Sequence, residues 1–250
     1  METLVSNNEI KFVKSLSQKK FRDEYKLFVV EGRKLVSEAR ASGFHIERSY
    51  RVEDVGENAM SRLSQLSSPS PAIAVVRQFP SVLEDGFEVP GKGLFLALDG
   101  IRDPGNLGTI LRTADWFGVS GVFASPDTVE VFNPKVVQAT MGAIFRVRFR
   151  YAPITRLCTQ FVEKGGKVYG TFLDGEDIYS RELGSGEGFP SLVVIGNEAD
   201  GISPEVASQV TDRLYIPSWP RDRKGSESLN AAVAAAVTLA EFRRRNNPAP

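Results

Sequence analysis

The chain has 250 residues, 42% of them apolar, and its 31 basic and 31 acidic side chains leave no net formal charge. This composition excludes a disordered chain, and the single cysteine and single histidine exclude an internal disulfide and disfavour metal sites or catalytic triads built on those residues. Because no apolar run reaches the roughly 20 residues that cross a bilayer and the N-terminus lacks a signal peptide's apolar stretch, we expect a soluble, cytoplasmic protein that binds no metal and no membrane.

Two segments meet at a linker over residues 80–93, PSVLEDGFEVPGKG, which contains two prolines and three glycines. Before it, helical patterns alternate with the apolar runs LFVV (27–30) and AIAVV (72–76), which predicts a small α/β domain over residues 1–85. Residues 10–51 contain 11 Lys and Arg side chains but only 5 Asp and Glu side chains. Such an excess suits contacts with nucleic-acid phosphates, and equally an ordinary solvated surface.

After the linker, strands and helices alternate, which predicts an α/β domain with a mostly parallel sheet over residues 92–246. The run LFLAL (94–98) has the continuous apolar character of a strand buried on both faces. Apolar residues then recur at helical spacing from Leu107 to Phe117. The further predicted elements are a strand at 121–124, a helix from Pro134, a strand at 146–149, a helix at 154–164, strands at 167–172 and 191–195, a short helix from Pro204, a strand at 214–216 and a long helix from about Ser228 to Arg245.

The first segment whose residues could take part in binding or catalysis is LDGIRDPGNLGTILRTADWFGV, residues 98–119. Polar and glycine-rich residues follow a buried strand here, at the edge of an α/β sheet where ligands bind. Asn106 stands near the start of the helix and Arg112 on its polar face. Taken alone, these residues suit a helix N-cap and a solvated arginine at least as well as an active site. The glycines match neither a dinucleotide fingerprint nor a phosphate-binding loop.

The second segment, LVVIGNEADGIS (192–203), runs from a buried strand into a polar turn. Gly196 there would allow a ligand or another backbone to approach closely, and Glu198 could orient a neighbouring polar group. A tight turn without further function explains the same residues.

The third segment, residues 214–242, contains a short strand, a polar loop and an alanine-rich helix that is apolar nearly all round. Such a helix is buried in its own chain or packs against a second one. Ser228 at its start suits a helix N-cap. Trp219 in the loop suits either stacking on a base or packing within the protein.

In order, the three segments resemble the three signature motifs of the SpoU (TrmH-like) RNA methyltransferases. NLGTILRTAD resembles the first motif, IGNEADG the second, and IP followed by SLNAAVAAAV the third, so that the resemblance covers residues 94–242. The N-terminal sequence EIKFVKSLSQKKFRDEYKLFVVEGRKLVSEA is similar to the family's RNA-binding domain, which is related to ribosomal protein L30e.

This resemblance implies an S-adenosylmethionine-dependent enzyme that methylates a ribose 2′-oxygen in RNA. It also implies a homodimer in which a small L30e-like α/β domain precedes a SPOUT α/β domain with a C-terminal trefoil knot. By motif position, the cofactor would be bound by Gly196, Ile216, Leu229, Thr171 and Leu173. The catalytic set implied in the same way is Arg112, Asn106, Glu198, Ser228 and Asn230.

Some alternatives stay open at this point. Ribosomal RNA is the first choice of substrate and transfer RNA the second, and a non-catalytic RNA-binding protein with the same fold is the competing class. The loop SWPRDRKGSE (218–227) is longer than the family's usual connection, so the substrate is the least secure inference. Arg112 is expected to contact a phosphate or to stabilise developing negative charge, since an arginine is always protonated and makes a poor base.

Overall fold

The computed structural model describes residues 5–84, 87–184, 188–220 and 228–245. The chain forms two compact units: one comprises residues 1–80 together with 130–146, and the other comprises residues 81–129 and 147–250. The elements up to residue 80 are α1 (Asn7–Ser15), α2 (Lys19–Tyr25), β1 (Leu27–Glu31), α3 (Arg33–Ala41), β2 (Ile46–Arg51), α4 (Val52–Leu63) and β3 (Ala72–Arg77).

The remaining elements follow the predicted alternation of strands and helices. They are β4 (Gly93–Leu98), α5 (Pro104–Trp116), β5 (Gly121–Ala124), α6 (Pro134–Ala139), β6 (Phe149–Tyr151), α7 (Ile154–Glu163), β7 (Lys167–Asp177), β8 (Pro190–Ile195), α8 (Pro204–Ala207), β9 (Asp212–Tyr215) and α9 (Ala231–Arg245). None of the helices in the described ranges has the length and apolar character needed to cross a bilayer.

The first unit is built on a three-stranded antiparallel sheet in the order β1–β3–β2. Buried side chains on one face of the sheet, including Val29, Ile73 and Val75, pack with Val13 of α1 and Leu63 of α4. The predicted strands at 27–30 and 72–76 are confirmed, whereas β2 was missed because only Tyr50 of its six residues is buried.

Residues 130–146 belong to this unit through an aromatic cluster and a buried ion pair. Phe132 and Phe145 pack against Phe28, with ring centroids 5.0 and 6.4 Å apart. Arg22 is 2% exposed, and its Nε donates to Glu130 at 3.0 Å while its second guanidinium nitrogen pairs with the other carboxylate oxygen. Arg22 is therefore a structural residue and adds nothing to the basic surface that the sequence suggested.

We expect a chain that lacks residues 1–80 to aggregate, because residues 130–146 would lose these partners. Removing one member of a buried ion pair costs about 3–5 kcal/mol, and the uncovered Phe132 and Phe145 would add an exposed apolar surface. Size-exclusion chromatography and binding of a hydrophobic dye would detect the loss of a compact fold. A monodisperse truncated protein that binds no dye would contradict this expectation.

The second unit is a six-stranded sheet in the order β6–β5–β4–β8–β7–β9, in which every pair of neighbours is parallel. The central strands β4 and β8 are buried almost throughout, as their continuous apolar runs predict. Helix α5 begins with Pro104 at its first turn, and the Asp103 carboxylate accepts the backbone N–H of Asn106 at 2.8 Å.

Several predicted boundaries in this part of the chain differ from the structure. The strand predicted at 167–172 extends to Asp177, and the strand predicted at 214–216 is Asp212–Tyr215. The strand expected at 146–149 is β6, Phe149–Tyr151, because residues 143–145 form a 3-10 turn before it. The last helix begins at Ala231 and not near Ser228, because Asn230 is its N-cap: the Asn230 Oδ1 atom accepts the backbone N–H groups of Ala232 and Val233 at 3.0 and 3.3 Å.

Strand β7 carries a bulge beside the carboxyl edge of the sheet. Thr171 and Glu176 both pair with Leu214 of β9, so residues 172–175 loop out of the ladder. Leu173 lies at this bulge and is 67% exposed. A bulge re-aims side chains that a regular strand would place on a sheet face.

Candidate functional site

A cavity of about 920 Å³ lies at the carboxyl edge of the sheet in the second unit. Its walls come from the ends of four elements: the bulge of β7, the turn after β8, the segment after β9 and the start of α9. This is the edge at which parallel α/β sheets bind their ligands. Its lining residues include Thr171, Leu173, Gly196, Glu198, Ile216, Trp219, Ser228 and Leu229.

The turn after β8 is rigid because several hydrogen bonds hold its backbone and the side chain of Asn197. Asn197 and Gly201 exchange backbone hydrogen bonds of 2.8 and 3.0 Å, and the Asn197 Oδ1 atom accepts the N–H of Ala199 at 2.8 Å. The Asn197 Nδ2 group donates to the carbonyl of Gly100 at 2.7 Å, which joins this turn to the segment after β4. The wall of the cavity is thus held in place independently of any ligand.

Gly196 has a steric role in this wall. A Cβ atom added at Gly196 would overlap the backbone of Gly201 and Ile202. Only a residue without a side chain allows the turn to fold back on the end of β8 at this distance.

A hydrogen-bonded chain of three side chains joins the three motif segments. The Asn106 Nδ2 group donates to Glu198 Oε1 at 2.6 Å, and the Asn230 Nδ2 group donates to Asn106 Oδ1 at 2.9 Å. Asn230 also caps α9, so the chain runs from a carboxylate to a helix N-terminus. The N-cap interpretation of Asn106 is therefore wrong, since Asp103 caps α5 and the amide of Asn106 is used for this link.

The predicted site residues fall into three groups. The five predicted cofactor residues all line the cavity, together with Glu198 and Ser228. Asn106 and Asn230 do not line it but reach it through Glu198. Arg112 follows Asn106 on α5, roughly 9 Å further along the helix axis at a rise of about 1.5 Å per residue. Its side chain is exposed and has no ion pair or hydrogen bond with any described residue.

Two residues of this region were missed by the sequence analysis. Asn197 holds the turn, and Asp99 is 8% exposed with its Oδ2 atom accepting the backbone N–H of Ser203 at 2.7 Å. The available signal was an acidic residue placed directly after a buried strand, at the ligand-binding edge of the sheet.

The nucleophilic side chain of Cys158 plays no part in this site. It is fully buried in the apolar core of the second unit, and burial raises the pKa of its thiol to about 12. The thiol stays protonated, and a protonated thiol is neither a nucleophile nor a metal ligand.

Across the described ranges, no three His, Cys, Asp or Glu side chains form a group that could hold a metal ion.

Residues 93–240 match the model of the SpoU rRNA methylase family, and residues 7–78 match an MRM3-like substrate-binding domain. The chain is 30% identical over 253 residues to the 23S rRNA (guanosine(2553)-2′-O)-methyltransferase of Bacillus subtilis, covering 95% of this chain and 96% of that protein.

Two further proteins are similar to this chain. A 23S rRNA (guanosine-2′-O-)-methyltransferase of Neisseria meningitidis is 35% identical over 166 residues, 66% of this chain and 62% of that one. The crystal structure of an S-adenosylmethionine-bound rRNA methyltransferase from Sinorhizobium meliloti superposes with a TM-score of 0.85 at 31% identity, covering 98% of both chains.

Proposed function

The chain belongs to the SpoU rRNA methylase family, and we propose that it transfers a methyl group from S-adenosylmethionine to a ribose 2′-oxygen of ribosomal RNA, in the cytoplasm. The observation that carries this proposal is the cavity at the carboxyl edge of the sheet, to which the hydrogen-bonded chain of Asn106, Glu198 and Asn230 is attached. The relatives named for 23S rRNA favour that RNA over transfer RNA.

The size and the lining of the cavity suit the proposed cofactor. Its volume of about 920 Å³ is within the range of about 300–1,000 Å³ that small-molecule sites occupy. Gly196 is one of the residues that line the cavity, and Leu173 and Leu229 offer exposed apolar surfaces for an aromatic ring. We assign cofactor binding to Gly196, Ile216, Leu229, Thr171 and Leu173.

Bound S-adenosylmethionine would supply a methyl group already activated on a sulfonium, so the protein has to position the ribose and help its hydroxyl to lose a proton. We assign the fixing of the three site segments to Asn106, Glu198 and Asn230, because each hydrogen bond among them joins two segments. Ser228 lines the cavity with a hydroxyl that can donate to substrate or cofactor.

We assign to Arg112 a charge-assisted contact with the phosphate next to the target ribose, or with the negative charge that develops on the 2′-oxygen. The guanidinium is exposed and makes no internal ion pair in the described part of the chain, so it is available to an anion from outside. We assign it a role through its charge and its paired N–H donors, and not as the base.

The proposed activity is tested by two measurements on the purified protein. Titration with labelled S-adenosylmethionine would show saturable binding, and methylation of in vitro transcribed 23S rRNA would place the label on a ribose 2′-oxygen. Cofactor binding without transfer to either rRNA or tRNA would favour a non-catalytic RNA-binding protein, and transfer to tRNA alone would change the substrate.

We also propose that the protein is a homodimer that associates through α9. One face of this helix is buried in its own chain, while Val233, Ala236, Val237 and Ala240 recur at helical spacing on a face that stays partly exposed. These small apolar side chains would allow a second helix to pack closely.

Light scattering at micromolar concentration is expected to give twice the 27.5 kDa mass of one chain. Val233→Lys should shift the protein toward the monomer, because burying an unpaired lysine charge in the interface costs free energy. Val162→Lys is the matched control: Val162 is 43% exposed and Val233 is 47% exposed, but Val162 lies on α7. A monomeric wild-type protein would disprove the homodimer.

A further inference from the structure

The side chain of Trp219 lines the cavity and is nevertheless 82% exposed. The sequence allowed either packing or stacking for this residue, and the exposure excludes packing within the described part of its own chain. A tryptophan that leaves most of its ring in water gives up a large part of the free energy its burial would provide, roughly 25 cal/mol for each Å² of apolar area. Its position at the cavity therefore calls for an external partner.

The proposed reaction requires the cofactor in the cavity and the target nucleotide at its opening. Methyl transfer would require the ribose oxygen to lie next to the methyl group of the cofactor. Some residues around the cavity would therefore contact the cofactor, and others would contact the nucleotide. The inner walls include buried residues at the end of β8 and in the turn after it, such as Ile195, Gly196 and Ile202. The target ribose is part of an RNA chain that is too large to enter the cavity. The nucleotide would therefore contact the exposed side chains at the opening.

We propose that the indole of Trp219 stacks on a nucleobase of the substrate RNA, at or next to the methylated nucleotide. This inference rests on the proposed function and names the residue that binds the base. Proteins recognise unstacked RNA bases by stacking them on aromatic side chains, and an exposed indole offers the largest such surface. Three of the large apolar side chains that stay exposed, Leu173, Trp219 and Leu229, lie around this one cavity, and only Trp219 carries a ring.

Steady-state kinetics of methylation test the contact. Stacking of one base on an aromatic side chain corresponds to roughly a 5-fold to 150-fold effect on binding, so Trp219→Ala should raise KM for unmodified 23S rRNA by about that factor. The kcat should stay nearly unchanged, because a contact made equally in ground and transition state affects KM alone. Trp219→Phe should recover most of the affinity, since phenylalanine still offers a ring face.

Fluorescence gives an independent readout, because the chain has only two tryptophans. In a Trp116→Phe background, emission reports Trp219 alone, and titration with 23S rRNA should quench it at cofactor-free conditions. Light scattering of Trp219→Ala, compared with the wild type, shows whether the substitution changes the oligomeric state.

The outcomes separate the inference from the function it rests on. Unchanged KM and no quenching by RNA, with wild-type methylation intact, would overturn the Trp219 contact and leave the proposed function standing. Quenching by S-adenosylmethionine alone, together with weaker cofactor binding by Trp219→Ala, would overturn it in favour of a cofactor contact. A changed oligomeric state with normal KM would overturn it in favour of a subunit contact, and a wild-type protein that does not methylate RNA would reject the proposed function itself.

Discussion

Replacing Arg112 by alanine is expected to lower the rate of methyl transfer by about a hundredfold to a thousandfold, with nearly unchanged affinity for S-adenosylmethionine. Loss of one preorganised charged donor in an active site has an effect of this size. The side chain is exposed and does not line the cavity, so its removal should leave the cofactor wall intact. For the same reason the free energy of unfolding should change by no more than about 0.5 kcal/mol.

Two variants sharpen this prediction. Arg112→Lys should recover little activity, because lysine keeps the charge and loses the planar pair of donors that fits a phosphate. Arg156→Ala is the matched control, since Arg156 is also an exposed arginine on a helix of the second unit without a partner among the described residues. Single-turnover methylation and a cofactor titration measure both effects. Wild-type turnover in Arg112→Ala would remove Arg112 from the mechanism.

Replacing Gly196 by alanine is expected to weaken S-adenosylmethionine binding by at least about tenfold, equivalent to about 1.4 kcal/mol. The new methyl group would meet the backbone of Gly201 and Ile202, not the end of a flexible side chain. The turn cannot yield easily, because Asn197 and Gly201 are held by two mutual hydrogen bonds and Asn197 is tied to Gly100. Forcing an extra carbon into a packed site costs about 1–3 kcal/mol, so stability should fall as well.

Gly188→Ala provides the control for the general cost of replacing a glycine. Gly188 precedes the same strand, β8, and a Cβ atom there meets nothing within 4 Å. This variant should bind the cofactor and unfold like the wild type. Calorimetric titration and thermal unfolding measure the two quantities, and normal cofactor affinity in Gly196→Ala would show that the turn is not part of the binding wall.

The two predictions differ in how far the sequence alone supports them. Arg112 was singled out by its motif, and nothing in the structure attaches it to the cavity, so its role still depends on the resemblance and on its free charge. Gly196 was also singled out by its motif, but the structure adds the steric reason, since the closeness of Gly201 and Ile202 cannot be read from the order of residues.

The partners of Asn106 were equally hidden in the sequence. Its position near a helix start favoured an N-cap, because local patterns report only on residues a few positions away. Its actual partners, Glu198 and Asn230, lie 92 and 124 residues further along the chain. A parallel sheet gathers such distant segments at one edge, and only the order of its strands decides which of them meet.

By itself, the sequence determined the elements whose signals are local. Continuous apolar runs predicted the buried strands β4 and β8, and the helical spacing of apolar residues from Leu107 to Phe117 predicted α5, because both signals lie in neighbouring residues. The tertiary structure alone decided what depends on distant contacts: residues 130–146 pack with Phe28 and Arg22, and the indole of Trp219 stays in solvent. These outcomes depend on packing between segments far apart in the chain, which no local pattern encodes.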